Sequence, residues 1–376
     1  MQLLKPATAL VPLMMLAAAV TEFHGRSAWT VDAPHLRVTV LKGGGHVAEI
    51  ALKSPGAVNP LWQQTRPTMD PSHFVAARDA KTYGGGSVAR LRSGLAGHSL
   101  CFPYWGDPSP AEERAGMTYH GETGVVDWAR TGSGDNWLEL AAELPESRTR
   151  FTRRLTVHGT VVWFDETATN EAAWDRPVTW CEHVTMGAPF LERAVTRFAA
   201  SATRGKPNES GVDAQQNWPQ GREDGTLIDL STVRNISAGG AVNNYLVDPS
   251  HEIGWFAAFN PKRSQIFGYV FRRSDFPWLN VWESYTSDTF TRGMEFSNTP
   301  VHGTVRVILR TPKLWDRPTY EILEAKGSLH KRFAAFSAAA PANFRGVRDI
   351  VVEGSHLRIV GAGGEPGIDI DLGLSL

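Results

Sequence analysis

The sequence predicts an all-β protein: a large β-sandwich of about ten or more antiparallel strands, with a short helical element near the C-terminus. Two observations carry this. Short segments of alternating apolar and polar residues recur from residue 29 to residue 360, and Gly, Pro or Asn turn signals separate them. A third observation limits the helix content. Only residues 318–340 show a helix-like spacing, with Tyr320, Ile322, Leu323, Leu329 and Phe333 in a rough stripe before an Ala-rich tail ended by Pro341.

Taken in order, residues 29–52 read as two strands about the turn Gly43-Gly44-Gly45. Residues 54–97 are rich in Pro, Gly and Trp and weakly periodic, an excursion of the kind that lines sites, with a helical turn expected within 70–80. Strands resume after Tyr119 at 137–144, 150–158 and 161–169, the last two joined at Gly159. Along 150–158, Phe151, Leu155 and Val157 mix with Arg150, Thr152 and Arg154, so one face is buried and one is wet. After a polar stretch at 201–225, further strands are expected at 241–247, 253–259, 265–271 and 305–309. Residues 349–352 and 356–360 read as a closing hairpin.

No composition shift or repeat marks an internal boundary, so residues 23–376 read as a single domain. All-β folds often exceed the ~250 to 300 residues at which single cores usually stop growing. Residues 1–22 read differently. Lys5 precedes an apolar run from Leu10 to Leu16, and Ala17-Ala18-Ala19 gives a small-residue cleavage pattern. The segment is either a signal peptide, which would export the protein, or an upstream start codon before a cytoplasmic one.

Charge and composition restrict the partners. Lys plus Arg number 38 against 39 Asp plus Glu, so there is no electrostatic footprint for nucleic acid or an anionic membrane, and a neutral partner is favoured. Beyond the first residues no stretch approaches the ~18 uninterrupted apolar residues of a membrane span. Cys101 and Cys181 are the sole cysteines and could form at most one bridge. The 13 tryptophans, many beside Gly, Pro or polar residues, suit either sugar C–H faces or the core.

Three local groups place titratable side chains among small, aromatic and turn residues. The first is Phe102-Pro103-Tyr104-Trp105-Gly106-Asp107, followed by Tyr119-His120-Gly121 and Trp128. In the second, residues 177–190, strand alternation sets Cys181, His183 and Thr185 on one face and Trp180, Glu182 and Val184 on the other. The third joins Phe276-Pro277-Trp278-Leu279-Asn280-Val281-Trp282-Glu283 to Arg292-Gly293-Met294-Glu295-Phe296. There Glu295 lies between two apolar residues, where poor solvation raises a carboxyl pKa toward that of a useful general base. A buried structural histidine or a paired structural glutamate would fit the same positions.

In this order the groups resemble the aldose 1-epimerase, or galactose mutarotase, superfamily. The resemblance runs over roughly residues 29–309: a Gly-rich hairpin, Asn59-Pro60-Leu61-Trp62, a Phe-Pro element leading to His-Gly and Trp, Asn170 before a strand carrying a histidine, and a late glutamate followed by proline. It implies a very large β-sandwich whose open cleft binds a monosaccharide. It assigns Glu295 as general base, His183 as general acid and His120 as a substrate-holding histidine, with Asp107, Trp128, Trp278, Trp282 and Glu283 as further candidates for the cleft wall. No metal or organic cofactor is implied. A zinc site from His98, His120, His183 and Cys181 lacks recognised ligand spacing, and Gly84-Gly85-Gly86 does not join a strand to a helix as a nucleotide loop would.

One departure stands out. Family members usually carry an Asn-Arg pair after the Phe-Pro element, whereas Tyr104, Trp105, Gly106 and Asp107 stand here. The expected activity is anomer or epimer exchange of a free aldose by acid–base ring opening. A carbohydrate-binding protein without turnover and a glycan lyase or hydrolase on the same sandwich are the other readings, the last needing Glu283 or Asp107 as a second carboxylate.

Overall fold

In the Thr149–His158 strand Phe151, Leu155 and Val157 are buried while Arg150, Arg154 and His158 face water, the alternation that the sequence shows. The computed structural model describes residues 20–208, 214–286 and 289–376; of the segment read as 1–22, residues 1–19 lie outside them, whereas Val20–Phe23 is a strand paired with Arg26–Asp32 and so belongs to the sheet. The strands assemble into two large antiparallel sheets. One sheet has 11 strands and runs from the N-terminal hairpins through His98–Cys101, Cys181–Gly187, Phe290–Ser297 and Trp278–Tyr285 to Gly239–Val247 and the short strands beyond it. The other has 8 strands, centred on Gln265–Arg272, Ser328–Ala339 and Val161–Asn170.

The main core fills the space between the sheets. Val38, Val184, Met294 and Phe296 of the first meet Phe151, Phe164, Tyr269 and Phe333 of the second. A second apolar layer lies on the outer face of the 8-stranded sheet, where Trp163, Val270 and Phe336 pack against Ile350, Leu357 and Ile370 of a C-terminal three-stranded sheet. The expected closing hairpin is two of its strands, Val347–Glu353 and His356–Gly361.

Residues 29–52, read as two strands, fall in three, Arg26–Asp32, Leu36–Leu41 and Val47–Leu52, and two further assignments differ in kind from the sequence reading. Residues 318–340 are not helical: Glu321–Leu323 and Ser328–Ala339 are strands, the latter paired in register on both sides. Its two faces are both covered, Phe333 and Ala335 by the central core and Ala334 and Phe336 by the outer layer. Burial on both faces erases the period-2 signal, and what is left reads as a continuous apolar run. Conversely, residues 305–309, expected as a strand, belong to the helix Val305–Arg310. Thr304 caps it, its hydroxyl accepting from the Val307 amide at 3.3 Å.

The excursion at 54–97 holds the expected helical turn, as Pro71–His73 and the helix Ala76–Tyr83, and a second helix Ser87–Gly94. Asn59 anchors its start: the side-chain oxygen accepts from the Leu61 and Ile50 amides, and the amide nitrogen donates to the Ala48 carbonyl. The Trp62 amide then donates to the Thr185 carbonyl at 2.9 Å, which brings the excursion over the sheet.

Candidate active site

The site follows from strand alternation on the outer face of the 11-stranded sheet. In Cys181–Gly187, Val184 and Met186 enter the core, so Cys181, His183 and Thr185 face outward. In Phe290–Ser297, Met294 and Phe296 enter the core, so Glu295 faces outward. The two strands are antiparallel neighbours, with Glu182 opposite Phe296 and Thr185 opposite Gly293. That register sets His183 across from Glu295, and His183 Nε2 lies 3.0 Å from Glu295 Oε1.

Above the pair opens a cleft of about 740 Å³ whose lining includes His120, His183, Trp282 and Glu295. The three sequence-predicted catalytic residues thus share one cavity. The His120 and His183 ring centroids are 5.4 Å apart. His120 is held by a reciprocal pair of bonds: its amide donates to the Gly106 carbonyl at 2.8 Å, and the Gly106 amide donates to His120 Nδ1 at 3.0 Å. With Nδ1 an acceptor, the ring proton is on Nε2. His120 has φ 63°, and at Gly121, φ 80°, a Cβ would sit 2.2 Å from the Phe102 carbonyl oxygen, so the His-Gly order is dictated by the turn.

Burial sets the protonation. It pushes the Glu295 carboxyl up to about 8, opposed in part by the Cys181 thiol, and lowers His183 to about 4. His120 is held well below its ordinary value, first by burial and then by His183 and His302. Near neutrality the pair is therefore a protonated carboxyl beside a neutral imidazole, sharing one proton across the 3.0 Å contact. His183 Nδ1 lies 3.0 Å from the Thr185 hydroxyl.

The proposed wall residues divide. Trp282 lines the cleft, its ring centroid 5.7 Å from that of His183. Trp278 is on the same face of its strand but is covered: it packs on Trp315 at 5.8 Å and donates to the Pro318 carbonyl. Trp128 is a core residue whose indole donates to the Thr123 carbonyl at 3.0 Å. Glu283 neighbours Trp282 in the strand and so faces the other way, where it is bonded by Arg292 at 2.6 Å and also by Arg234. Asp107 is exposed and is not among the residues lining the cleft. His98 bonds Glu182 at 2.7 Å on the core side of the sheet, opposite His183, which separates the four residues of the zinc alternative.

Trp105 and Tyr119, which the sequence places in the first local group without a role, also line the cleft, as does His302, which none of the three groups contains. His302 bonds the Tyr119 hydroxyl at 3.0 Å. It precedes Gly303, the same His-Gly signal that marked His120. Gly106 admits this loop: a Cβ there would lie 2.2 Å from the Gly303 nitrogen. Trp105 is 2% exposed, and its indole nitrogen is buried without a hydrogen-bond partner among the described residues. The cleft also holds guanidinium groups. Arg66 and Arg92 come from the excursion, not from the Phe-Pro element where the family pattern places its arginine.

These features define a cleft-bearing antiparallel sandwich with a carboxyl–imidazole pair on the outer face of one sheet. No protein-family model and no curated protein matches the chain. Solved structures do. A candidate aldose 1-epimerase from Klebsiella pneumoniae superposes with a TM-score of 0.60 at 15% identity, over 85% of this chain and 80% of the other. A galactose mutarotase-like protein from Clostridium acetobutylicum gives 0.59 at 11% identity, over 86% and 99%. A galactose mutarotase related enzyme from Lactobacillus acidophilus gives 0.58 at 10%, over 83% and 98%. The protein has the galactose mutarotase-like fold.

Proposed function

We propose that the protein is an isomerase that exchanges the anomers of an aldose by acid–base ring opening, with Glu295 as base, His183 as acid and His120 as a hydrogen-bond donor to the sugar. The observation that carries this reading is the direct 3.0 Å contact between Glu295 and His183 under an open cleft. Transfer of the shared proton from carboxyl to imidazole gives a carboxylate and an imidazolium with no change in proton count. The carboxylate takes the proton of the C1 hydroxyl and the imidazolium gives one to the ring oxygen. The C1–ring oxygen bond breaks as the C1 carbonyl forms. Rotation about C1–C2 and the reverse transfers close the ring with the other anomeric configuration. Both residues then return to their starting states.

The other cleft groups fit this work. His120 Nε2–H is a donor for a sugar hydroxyl, and Trp282 offers a flat face for ring C–H groups. Among the described residues lining the cleft Glu295 is the sole carboxyl. Glycoside hydrolysis ordinarily requires two, so this lining favours exchange over cleavage. The test is an anomeric-exchange NMR screen over common aldoses with wild-type protein. Acceleration of at least one sugar supports the reading. Binding without acceleration for every sugar replaces it with a carbohydrate-binding role.

A further inference from the structure

Glu295 has a second oxygen, which His183 does not use. Cys181 Sγ lies 3.7 Å from Glu295 Oε2, on the same outward face of the same strand as His183. Cys101 lies directly opposite it in the ladder, and Trp105 packs in the same buried cluster as the two thiols. Both thiols are buried, and burial raises both above the ordinary thiol range, so both keep their protons. A thiol has one hydrogen to give. A carboxyl oxygen is a better acceptor than sulfur, so the Cys181 S–H goes to Oε2.

We propose that Cys181 is a positioning residue for the acid–base pair: its thiol fixes Oε2 as the accepting oxygen of Glu295 and thereby presents Oε1, with the mobile proton, to His183. The hydrogens then run in one direction, from Cys181 to Oε2 and from the Oε1 hydroxyl to His183 Nε2, with His183 Nδ1–H directed at the Thr185 hydroxyl. The thiol also offsets part of the burial cost of the ionised carboxyl when the base is made. No Lys or Arg ion pair reaches Glu295 among the described residues. The remaining titratable groups around it are His183 and Cys101 on the neighbouring strands and His120, Tyr119, His302, Arg66 and Arg92 in the cleft. Apart from His183, which meets Oε1, none of these groups bonds Glu295 in the hydrogen-bond network of the described residues. The role of Cys181 as support for a catalytic base rests on the function proposed above, whereas its effect on the carboxyl does not.

The experiment therefore reads the carboxyl directly. The Glu295 pKa is measured by isotope-edited infrared titration of the ligand-free full chain, in wild type, Cys181→Ala, Cys181→Ser and Cys101→Ala. The last removes the same side-chain volume next door without removing the donor to Oε2. Loss of the donor should move the Cys181→Ala carboxyl up by about half to one pH unit, with Cys101→Ala shifting less and Cys181→Ser restoring the wild-type value. In exchange assays Cys181→Ala should lower kcat about 3- to 10-fold, the size of one weak hydrogen bond, with KM unchanged. An unshifted carboxyl in folded Cys181→Ala overturns the proposal, and so does an equal shift in Cys101→Ala. A shifted carboxyl with no anomer exchange by any variant or by wild type upholds the positioning role and removes the proposed activity instead.

Discussion

Replacing Glu295 by Gln should stabilise the folded protein at neutral pH while it stops the chemistry. Burial raises the carboxyl from 4.5 to about 8, so between those values the folded chain keeps a proton that the unfolded chain has lost. The group's contribution to stability is complete below pH 4.5 and falls as pH rises, levelling off above about 8. Each pH unit in that window is worth about 1.4 kcal/mol, so at pH 7 the wild-type carboxyl forfeits about 3 kcal/mol. The glutamine side chain of the variant forfeits nothing, because it does not titrate. Its amide nitrogen can donate to His183 Nε2 and its oxygen can accept from Cys181, so the two contacts survive. His183 contributes with the opposite sign: lowered from 6.5 to about 4, it adds stability as pH rises through that interval. That contribution is common to both proteins and cancels in the comparison. Urea unfolding at pH 5, 6, 7 and 8 should show Glu295→Gln gaining on wild type with pH, to about 2 to 3 kcal/mol at pH 7. Parallel stability profiles, or a variant that is less stable throughout, would refute the electrostatic account of the pair.

Other expectations follow from the same geometry. The pH profile of kcat/KM should be bell-shaped, because one shared proton is required; its alkaline limb should fall near pH 8, where the carboxyl loses that proton, and a flat profile to pH 9 would contradict this. His120→Ala removes the Nε2 donor and frees the Gly106 amide, so it should raise KM and lower kcat together by about 10-fold or more in steady-state kinetics.

Much of this site was legible in the sequence because it is built from strand alternation and turns. Cys181, His183 and Thr185 could be set on one face from their spacing, and the apolar neighbours Met294 and Phe296 fix the direction of Glu295. The same rule applied to Trp282 and Glu283 would have separated them, since adjacent strand residues face opposite sides. Trp278 was misplaced for a different reason. It is on the cleft face, but residues 315–318 cover it, a long-range event that no local pattern encodes. Arg66 and Arg92 were hidden because they reach the cleft through the irregular excursion, and the helix expected at 318–340 failed because both faces of that strand are buried.

The anomeric exchange rate of one bound aldose is to be measured by exchange NMR, with wild type and Glu295→Gln side by side and binding monitored in the same samples. If Glu295 and His183 pass the protons as proposed, wild type accelerates exchange, and Glu295→Gln binds the sugar with similar affinity but loses about 10²- to 10⁴-fold in rate. Equal exchange rates in the two proteins at equal occupancy would contradict it.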